Sequence, residues 1–338
     1  MYGISQGGGR TLRFGVMLLA ALMLCTGVWS SAANLPRTSE RMLVPVGHTV
    51  GIKLFSKGVL VVRQPEGGTP ARECGLRTGD VIVQCGGSAV TSTEQFQSLL
   101  QHCGGSAVDL QVRRDGCPVT LSVEPETNEQ GIYCIGAWIR DSMAGIGTMT
   151  YYDPETSCFG ALGHGIADVD TAILMPFSNG SILPSTVKAV KRGESGAAGE
   201  LRGEFDLNGD LGGLYANTTA GVFGTVESAA FLKETEAVPT GSPAPGKAVI
   251  RSNVQGDAVE EFEIEILKVI QNPTDEREMV ICVKDPDLIA VTGGIVQGMS
   301  GSPILQDGKI VGAVTHVLLN DPTKGYGISI ETMLKAAK

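Results

Sequence analysis

The pattern of apolar and polar residues along the chain predicts a protein built mainly from short β-strands. Stretches that are rich in β-branched residues, or that alternate apolar and polar side chains, are typical of half-buried strands. Such stretches lie at residues 58–63, 108–113, 119–123, 249–252, 261–269, 279–283 and 309–317. Helical spacing is clearest at 93–102, with Phe96, Leu99 and Leu100 on one face, and in the tail at 328–337. We therefore predict a mainly β fold.

Interruptions of this pattern predict the domain organisation. A polar stretch at 124–130 contains Pro125 and follows the first group of strands, so we place a domain boundary there. Residues 192–213 are rich in glycine and charge, and we expect a mobile loop. The predicted organisation is an N-terminal targeting segment at 1–33, a linker at 34–50, a first domain at 51–126 and a second domain at 131–338.

The N-terminal segment has the layout of a secretory signal. Arg10 and Arg13 precede the apolar run 14–29, and small residues follow at 30–33. The uncharged stretch is also nearly long enough to cross a bilayer, so an uncleaved membrane anchor is the alternative. Both interpretations predict an exported protein, associated with a membrane or secreted.

Composition narrows the classes of function. The chain has 338 residues, of which 42% are hydrophobic and 18% charged, so a folded globular protein is expected. A net charge of -10 and the lack of a long basic run argue against nucleic-acid binding. The eight cysteines form no Cys-x-x-Cys pair, and we therefore expect no zinc site, no other metal and no cofactor.

The first domain contains a pattern of known type. Pro70-Ala71, Gly75-Leu76 and Gly79-Asp80-Val81-Ile82 are followed by the helical stretch and by a strand pair around Arg114-Asp115-Gly116. This order resembles the PDZ domains of exported bacterial proteases. The resemblance implies that an extended peptide adds as a strand to a sheet edge beside a helix. On this chain the binding loop and edge would be Gly58, Val59 and Leu60; the alternative is an ordinary sheet edge without a ligand.

A candidate nucleophile lies in the second domain, in the segment Gly298-Met299-Ser300-Gly301-Ser302-Pro303. Glycines on both sides of a serine permit a tight turn that presents the hydroxyl outward. Such a turn also directs main-chain N–H groups to one point, as an oxyanion hole requires, with Gly298 and Ser300 as donors. The segment resembles the Gly-x-Ser-Gly-x-Pro turn of trypsin-like serine proteases. The alternative is a structural turn between strands.

A serine nucleophile needs a base, and histidine is the usual one. Of the four histidines, His48 and His102 lie outside the second domain, which leaves His164 and His316. We favour His164 because glycines flank it and would allow close approach of a substrate. The residue that orients the base stays open among the candidates Asp285, Asp287, Asp206, Asp168 and Asp170.

Four segments give the second domain a more specific resemblance. They are residues 145–154, 160–164, 292–303 and 312–316. Together with the order of signal, PDZ domain and peptidase, they resemble the stage IV sporulation protein B peptidases of spore-forming bacteria. This resemblance implies a trypsin-like double β-barrel after the PDZ domain and a catalytic triad of His164, Asp285 and Ser300.

The resemblance also implies a biological role. Such a peptidase is exported into the space between the two membranes around the forespore, cuts itself, and then cleaves a membrane-bound regulator. That cleavage releases an intramembrane protease that processes a sigma factor precursor. We expect self-cleavage within residues 34–56. Two alternatives are a catalytically inert PDZ adaptor at the membrane surface and a cysteine enzyme that uses Cys158 or Cys282.

Overall fold

The computed structural model of the protein describes residues 41–206, 209–227 and 236–338. Within these ranges the chain forms two closed β-barrels and a smaller β-rich domain that is inserted into the first barrel. No helix of the described residues is long and apolar enough to span a bilayer. The predicted targeting segment at 1–33 lies outside the described residues.

Strands make up most of the structure, as predicted. The first eight are β1 (Met42–Pro45), β2 (Thr49–Arg63), β3 (Val81–Cys85), β4 (Ser88–Ala89), β5 (Val108–Arg114), β6 (Cys117–Val123), β7 (Glu126–Thr127) and β8 (Tyr133–Cys134). The next seven are β9 (Trp138–Asp153), β10 (Cys158–Ala161), β11 (Phe177–Lys191), β12 (Glu200–Phe205), β13 (Gly212–Thr218), β14 (Gly221–Val226) and β15 (Val238–Pro239). The last six are β16 (Gly246–Gln255), β17 (Ala258–Val269), β18 (Met279–Val283), β19 (Pro303–Gln306), β20 (Lys309–Val317) and β21 (Lys324–Ser329).

The helices are short and few. They are α1 (Pro70–Glu73), α2 (Thr93–Cys103), α3 (Pro286–Thr292) and α4 (Ile330–Ala336). The longest, α2, begins at the N-cap Ser92, whose side chain accepts a hydrogen bond from the Gln95 N–H, and ends at Gly104 in the left-handed conformation. The predicted helices at 93–102 and 328–337 are thereby confirmed.

The first barrel closes through a ring of antiparallel pairs. In order around the ring, the strands are β2, β9, β10, β14, β13 and β11, and β11 returns to β2. Apolar side chains from this ring fill the interior, among them Ile52, Met149, Phe159, Ile182 and Val222. β1 and β12 extend the barrel by pairing with β9 and β11.

The second barrel is closed by the strands β16, β17, β18, β21, β20 and β19. The strands predicted at 249–252, 261–269, 279–283 and 309–317 all belong to it, and so are confirmed. Its interior is lined by buried aliphatic residues and Met279, Phe262 and Met299. The two barrels together bear out the double-barrel fold that the resemblance implied.

The inserted domain occupies residues 58–137, from the last part of β2 to the residue before β9. It contains β3 to β8 with α1 and α2, and its core holds Phe96, Leu100, Leu110 and Ile82. The insertion changes the predicted boundaries. Thr49 to Ser56 of β2 pair with β9 and β11 of the barrel, whereas only the end of β2 pairs with β3.

The prediction of a linker at 34–50 therefore does not hold for its described part. β1 pairs with β9 and β15, and Leu43 and Val50 are buried in the barrel. The proline and glycine residues of this stretch obscured its strands, since a Pro at the end of a short edge strand costs no ladder hydrogen bond.

The prediction of a mobile loop at 192–213 is also wrong for the described residues. Glu200–Phe205 form β12, and the N–H of Gly193 donates to the carbonyl of Thr292. A Cβ atom at Gly199 would lie 2.4 Å from the Gly193 nitrogen. Glycine is used here for close approach of two segments rather than for mobility.

Candidate active site

The nucleophile turn lies between β9 of the first barrel and β20 of the second. Gly298 and Gly301 both adopt φ +98°, and a Cβ at Gly301 would lie 2.0 Å from the Thr148 carbonyl oxygen. Thr148 donates from its N–H to the Ser300 carbonyl (2.9 Å) and from its hydroxyl to the Gly298 carbonyl (2.7 Å). The turn is thus held rigidly by main-chain contacts, as a preorganised site requires.

Two N–H groups of this turn are available to a ligand. Met299 donates to the Val296 carbonyl and Gly301 to the Val314 carbonyl. In the part of the chain that the structure describes, the N–H groups of Gly298 and Ser300 have no such acceptor. These are the two donors expected for an oxyanion hole.

His164 reaches the site by a sharp turn after β10. Leu162 and Gly163 both lie in the left-handed region, with φ of 70° and 67°. The ring Nδ1 lies 2.9 Å from the carbonyl oxygen of Gly165. Because a carbonyl only accepts, Nδ1 carries the proton and Nε2 keeps its lone pair. Burial lowers the pKa of His164, opposed in part by this hydrogen bond, so the neutral form predominates at neutral pH.

His164, Ser300 and Gly298 line one cleft of about 550 Å³. The other walls are mostly apolar and come from β2, β9 and the loop after His164; they include Ile52, Met143, Ile146, Leu162, Ile166 and Val169. The Ser300 hydroxyl donates to the Thr315 carbonyl, 2.7 Å away. The structure therefore brings the predicted nucleophile, base and oxyanion donors together.

Asp285 does not join them. Its carboxylate caps α3, where Oδ1 accepts from the N–H groups of Asp287 (3.0 Å) and Leu288 (2.9 Å), and Oδ2 accepts from the Glu263 N–H (3.3 Å). The acceptor beside His164 is the Gly165 carbonyl. The sequence carried a signal for this: Asp followed by Pro is typical of a helix N-cap with proline at the first helical position.

The other candidate aspartates are not among the residues that line the cleft. Asp168 and Asp170 both pair with Arg140, Asp287 lies in the first turn of α3, and the Asp206 N–H donates to the Pro184 carbonyl. The fixed members of the arrangement are thus Ser300, His164 and a main-chain carbonyl. Sequence reasoning missed that carbonyl because it has no side-chain signature.

The second histidine lies directly beside the first. The ring centroids of His164 and His316 are 5.1 Å apart and their planes are tilted by 36°. Partial desolvation and the neighbouring His164 lower the pKa of His316, which stands at an exposed position on β20. His316 is therefore a neighbour of His164 and is not among the residues that line the cleft.

The predicted peptide-binding loop is placed differently from our expectation. Val59 and Leu60 are buried, and Leu60 pairs with Val81 on one side and with Arg140 on the other. A Cβ at Gly58 would lie 2.5 Å from the Ile82 carbonyl oxygen. Of the sheet edge that we predicted at Gly58, Val59 and Leu60, the residue Leu60 is therefore covered by β9, while Val59 pairs with β3.

A closed barrel pair, a serine in a glycine turn with two free N–H donors, and a neutral histidine in the same cleft define a serine peptidase. The sequence model of the SpoIVB peptidase S55 family matches residues 131–334, and the chain belongs to this family. A PDZ-domain model matches residues 61–114, within the inserted domain. The protein is therefore a serine peptidase of mainly β fold with a PDZ domain.

Individual relatives are more distant. The zinc metalloprotease Rip1 of Mycobacterium tuberculosis is 28% identical over 164 residues, which are 48% of this chain and 35% of that protein. The chain thus spans about a third of the length of this relative. The PDZ domain of the SdrC-like protein Lmo2051 from Listeria monocytogenes is 21% identical, covers 25% of this chain and 87% of its own, and gives a TM-score of 0.23. The active form of the Rv3671c protease from M. tuberculosis is 15% identical, covers 58% of this chain and 73% of its own, and gives a TM-score of 0.34.

Among the described residues, no group of three or more His, Cys, Asp or Glu side chains is arranged to hold a metal ion. The described cysteines are all free thiols, and Cys158 and Cys282 lie outside the lining of the cleft that contains Ser300 and His164.

Proposed function

We propose that the protein is an exported serine endopeptidase of sporulation signalling. It cleaves itself and then a membrane-bound regulator, which triggers processing of a sigma factor precursor. It acts at the membrane surface in the space between the forespore and mother-cell membranes. The S55 family membership and the signal-like N-terminus support this role.

One observation carries the catalytic part of the proposal: Ser300, His164 and the free N–H groups of Gly298 and Ser300 meet in one cleft. Once a substrate displaces the Thr315 contact, His164 Nε2 takes the Ser300 proton as Oγ attacks the scissile carbonyl. The oxyanion is bound by the two N–H groups, and His164 then returns the proton to the leaving amine. Water attacks the acyl-enzyme by the reverse of these steps and restores the Ser300 hydroxyl.

A serine-reactive phosphonate probe tests this assignment on the purified full chain. Intact mass should show one adduct on the wild type and none on Ser300→Ala. Ser302→Ala is the matched control, since Ser302 lies in the same turn but is fully buried, with its hydroxyl 3.2 Å from that of Ser252. It should keep the adduct. A wild type without any adduct would favour the catalytically inert PDZ adaptor.

We propose a narrower site of self-cleavage than the expected range 34–56. Of the expected range 34–56, residues 42–45 and 49–56 lie in paired strands, and a peptidase cleft needs an extended segment without strand partners. We therefore place the cut before Met42. Terminal sequencing of the wild type should find new N-termini within residues 34–42, and Ser300→Ala should have none. Cuts found only within 140–338 would contradict this.

For the PDZ domain we propose a peptide site at the start of β9. Trp138–Arg140 pair with β2 on one side, and within the described ranges no strand pairs with them on the other. The next residue, Asp141, accepts from the Thr93 N–H at the start of α2. The neighbouring strand β8 also contacts this helix, since Gln97 and Gln101 both donate to the Tyr133 carbonyl. A free edge beside a helix is the arrangement that a strand-adding peptide needs.

Selection of peptides from a random C-terminal library on the Ser300→Ala protein would supply ligands for this site. Amide hydrogen exchange with a selected peptide should then show added protection at 138–141. Protection confined to other strand edges would contradict this placement while leaving the peptidase assignment untouched.

A further inference from the structure

The strand β9 runs from the PDZ domain along the cleft to the turn that contains Ser300. Near its start, Ile139 packs against the PDZ core and Arg140 pairs with Leu60. Further along, Met143 and Ile146 line the cleft. Thr148 then holds the turn that contains Ser300. A single strand of 16 residues thus contacts the PDZ domain, the cleft and the turn that contains Ser300.

Arg140 is the charged residue at the centre of this connection. Its guanidinium forms an ion pair with Asp168 through Nη1 and with Asp170 through Nη2, the latter at 3.1 Å. The Asp168 side chain is 0% exposed, whereas that of Arg140 is 30% exposed. A buried carboxylate needs such a partner, because its charge is otherwise unfavourable away from water.

Asp168 in turn organises the loop that follows the catalytic histidine. Its Oδ1 accepts from the N–H groups of Asp170 (3.1 Å) and Thr171 (2.9 Å) and from the Thr171 hydroxyl (3.0 Å). Burial by itself would raise the pKa of Asp168, but the hydrogen bonds from Thr171 and the charge of Arg140 outweigh it and lower that pKa. The carboxylate is therefore ionised, and both of its oxygens have partners.

The organised loop forms one wall of the cleft. It begins at His164, and Ile166, Ala167 and Val169 line the cleft. Near His164 the loop is fixed by Asn217, which accepts from the Ile166 N–H (2.8 Å) and donates to the Ile166 carbonyl (2.9 Å). At the far end it is fixed by the pair of Asp168 with Arg140.

We propose that Arg140 is a positioning residue of the peptidase. Through Asp168 it holds the loop so that His164 keeps the ring orientation that its task requires, and it links this loop to the strand that borders the PDZ domain. The catalytic meaning of this role rests on the proposed function. The geometric part rests on the ion pair of Arg140 with Asp168 and on the hydrogen bonds of Asp168 within the loop that follows His164.

The test compares two arginines that each neutralise a buried aspartate. Arg114 bonds Asp80 through Nε (2.8 Å) and Nη2 (2.7 Å), and the Asp80 side chain is 1% exposed. This pair lies within the PDZ domain, and neither Arg114 nor Asp80 is among the residues that line the cleft. Arg114→Met is therefore the matched control for Arg140→Met in the full chain, with similar losses in thermal midpoint expected.

Activity should separate the two variants. We expect Arg140→Met to lower kcat and the rate of phosphonate labelling about 100-fold with little change in KM, because a base displaced by about 1 Å loses that much. Arg114→Met should stay close to the wild type at a temperature where both are folded. Arg140→Lys keeps the charge and should recover part of the rate. Equal rates for Arg140→Met and Arg114→Met would overturn the proposal.

A readout independent of activity keeps the two proposals separate. In Ser300→Ala protein, the NMR signal of the His164 ring should shift or broaden with Arg140→Met and stay in place with Arg114→Met. Failure of the wild type to react with the probe would count against the peptidase assignment only. An unmoved His164 signal would count against Arg140 only. If Arg140→Met does not fold, Asp170→Asn, which removes only the exposed partner, and Arg140→Lys carry the same comparisons.

Discussion

His164 is oriented by the main-chain carbonyl of its own neighbour, since Nδ1 lies 2.9 Å from the Gly165 oxygen. A neutral acceptor fixes the tautomer as a carboxylate would, but contributes less to the stability of the charged imidazolium. This arrangement leaves the Nε2 lone pair of His164 free of the Gly165 contact, and burial keeps the ring neutral. The turn that permits it depends on Gly165, where a Cβ would lie 2.5 Å from the Thr218 carbonyl oxygen.

The first prediction concerns pH. Because burial lowers the pKa of His164, its neutral form persists below the ordinary histidine value of about 6.5. The rate of phosphonate labelling should therefore fall only at a pH below about 6.5. The unfolded chain binds this proton more tightly than the folded one, so this residue should also cost stability as pH falls through that range. A labelling midpoint clearly above 6.5 would contradict the burial argument.

The second prediction separates capping from catalysis at Asp285. Asparagine is as good an N-cap as aspartate, so Asp285→Asn should keep most activity. Asp285→Ala should lose the cap and about 1 kcal/mol in the free energy of unfolding, measured by denaturant titration. A large loss of kcat in Asp285→Asn with unchanged stability would restore the triad role that the family resemblance implied.

The third prediction distinguishes the two adjacent histidines. His164→Gln removes the base and should lower kcat about 1000-fold or more. His316→Gln keeps a polar side chain of similar size and should change kcat less than about 10-fold, with its effect mainly on KM. Parallel kinetics with one peptide substrate would measure this. A greater loss of kcat in His316→Gln than in His164→Gln would reverse the assignment of the base.

The fourth prediction uses a glycine that lines the cleft. No atom lies within 4 Å of a Cβ placed at Gly145, and valine suits a strand, so Gly145→Val should fold normally. The added methyl groups would enter the space for an extended substrate and lower kcat/KM for peptides about 10-fold. A small phosphonate should still label Ser300.

Gly213 on β13 is the control for this substitution, since a Cβ there also has no atom within 4 Å. Gly213→Val should leave peptide hydrolysis unchanged. Equal kinetics of the two variants would mean that substrates do not pass along β9.

The sequence was informative where local chemistry decides structure. Alternation located β17 and an apolar run located β18, and the glycines around Ser300 predicted the tight turn that the structure contains. The sequence was misleading where one residue type fits two structural roles. Asp285 before Pro286 suits either a triad or an N-cap, and only the fold decides between them. The glycines around 193–199 are equally typical of a loop and of tight packing.

The covering of the PDZ sheet edge at Leu60 could not be predicted either, and here the reason is different. The strand that covers Leu60 comes from Trp138–Arg140, beyond the predicted end of the first domain. Strand partners that are distant in sequence leave no periodic signal in either segment. The main-chain acceptor of His164 is invisible in the same way, because any residue can supply a carbonyl.

The insertion of the PDZ domain between β2 and β9 has a consequence for how the molecule can be processed. A domain that is attached in tandem is released by one cut in its linker. Here the chain enters the PDZ domain from one barrel strand and returns to another. After a single cut within the PDZ domain, both fragments therefore still contribute strands to the same barrel. Excision of the inserted domain would take two cuts, one in each connection to the barrel, after β2 and before β9. A single cut therefore does not separate the PDZ domain from the peptidase.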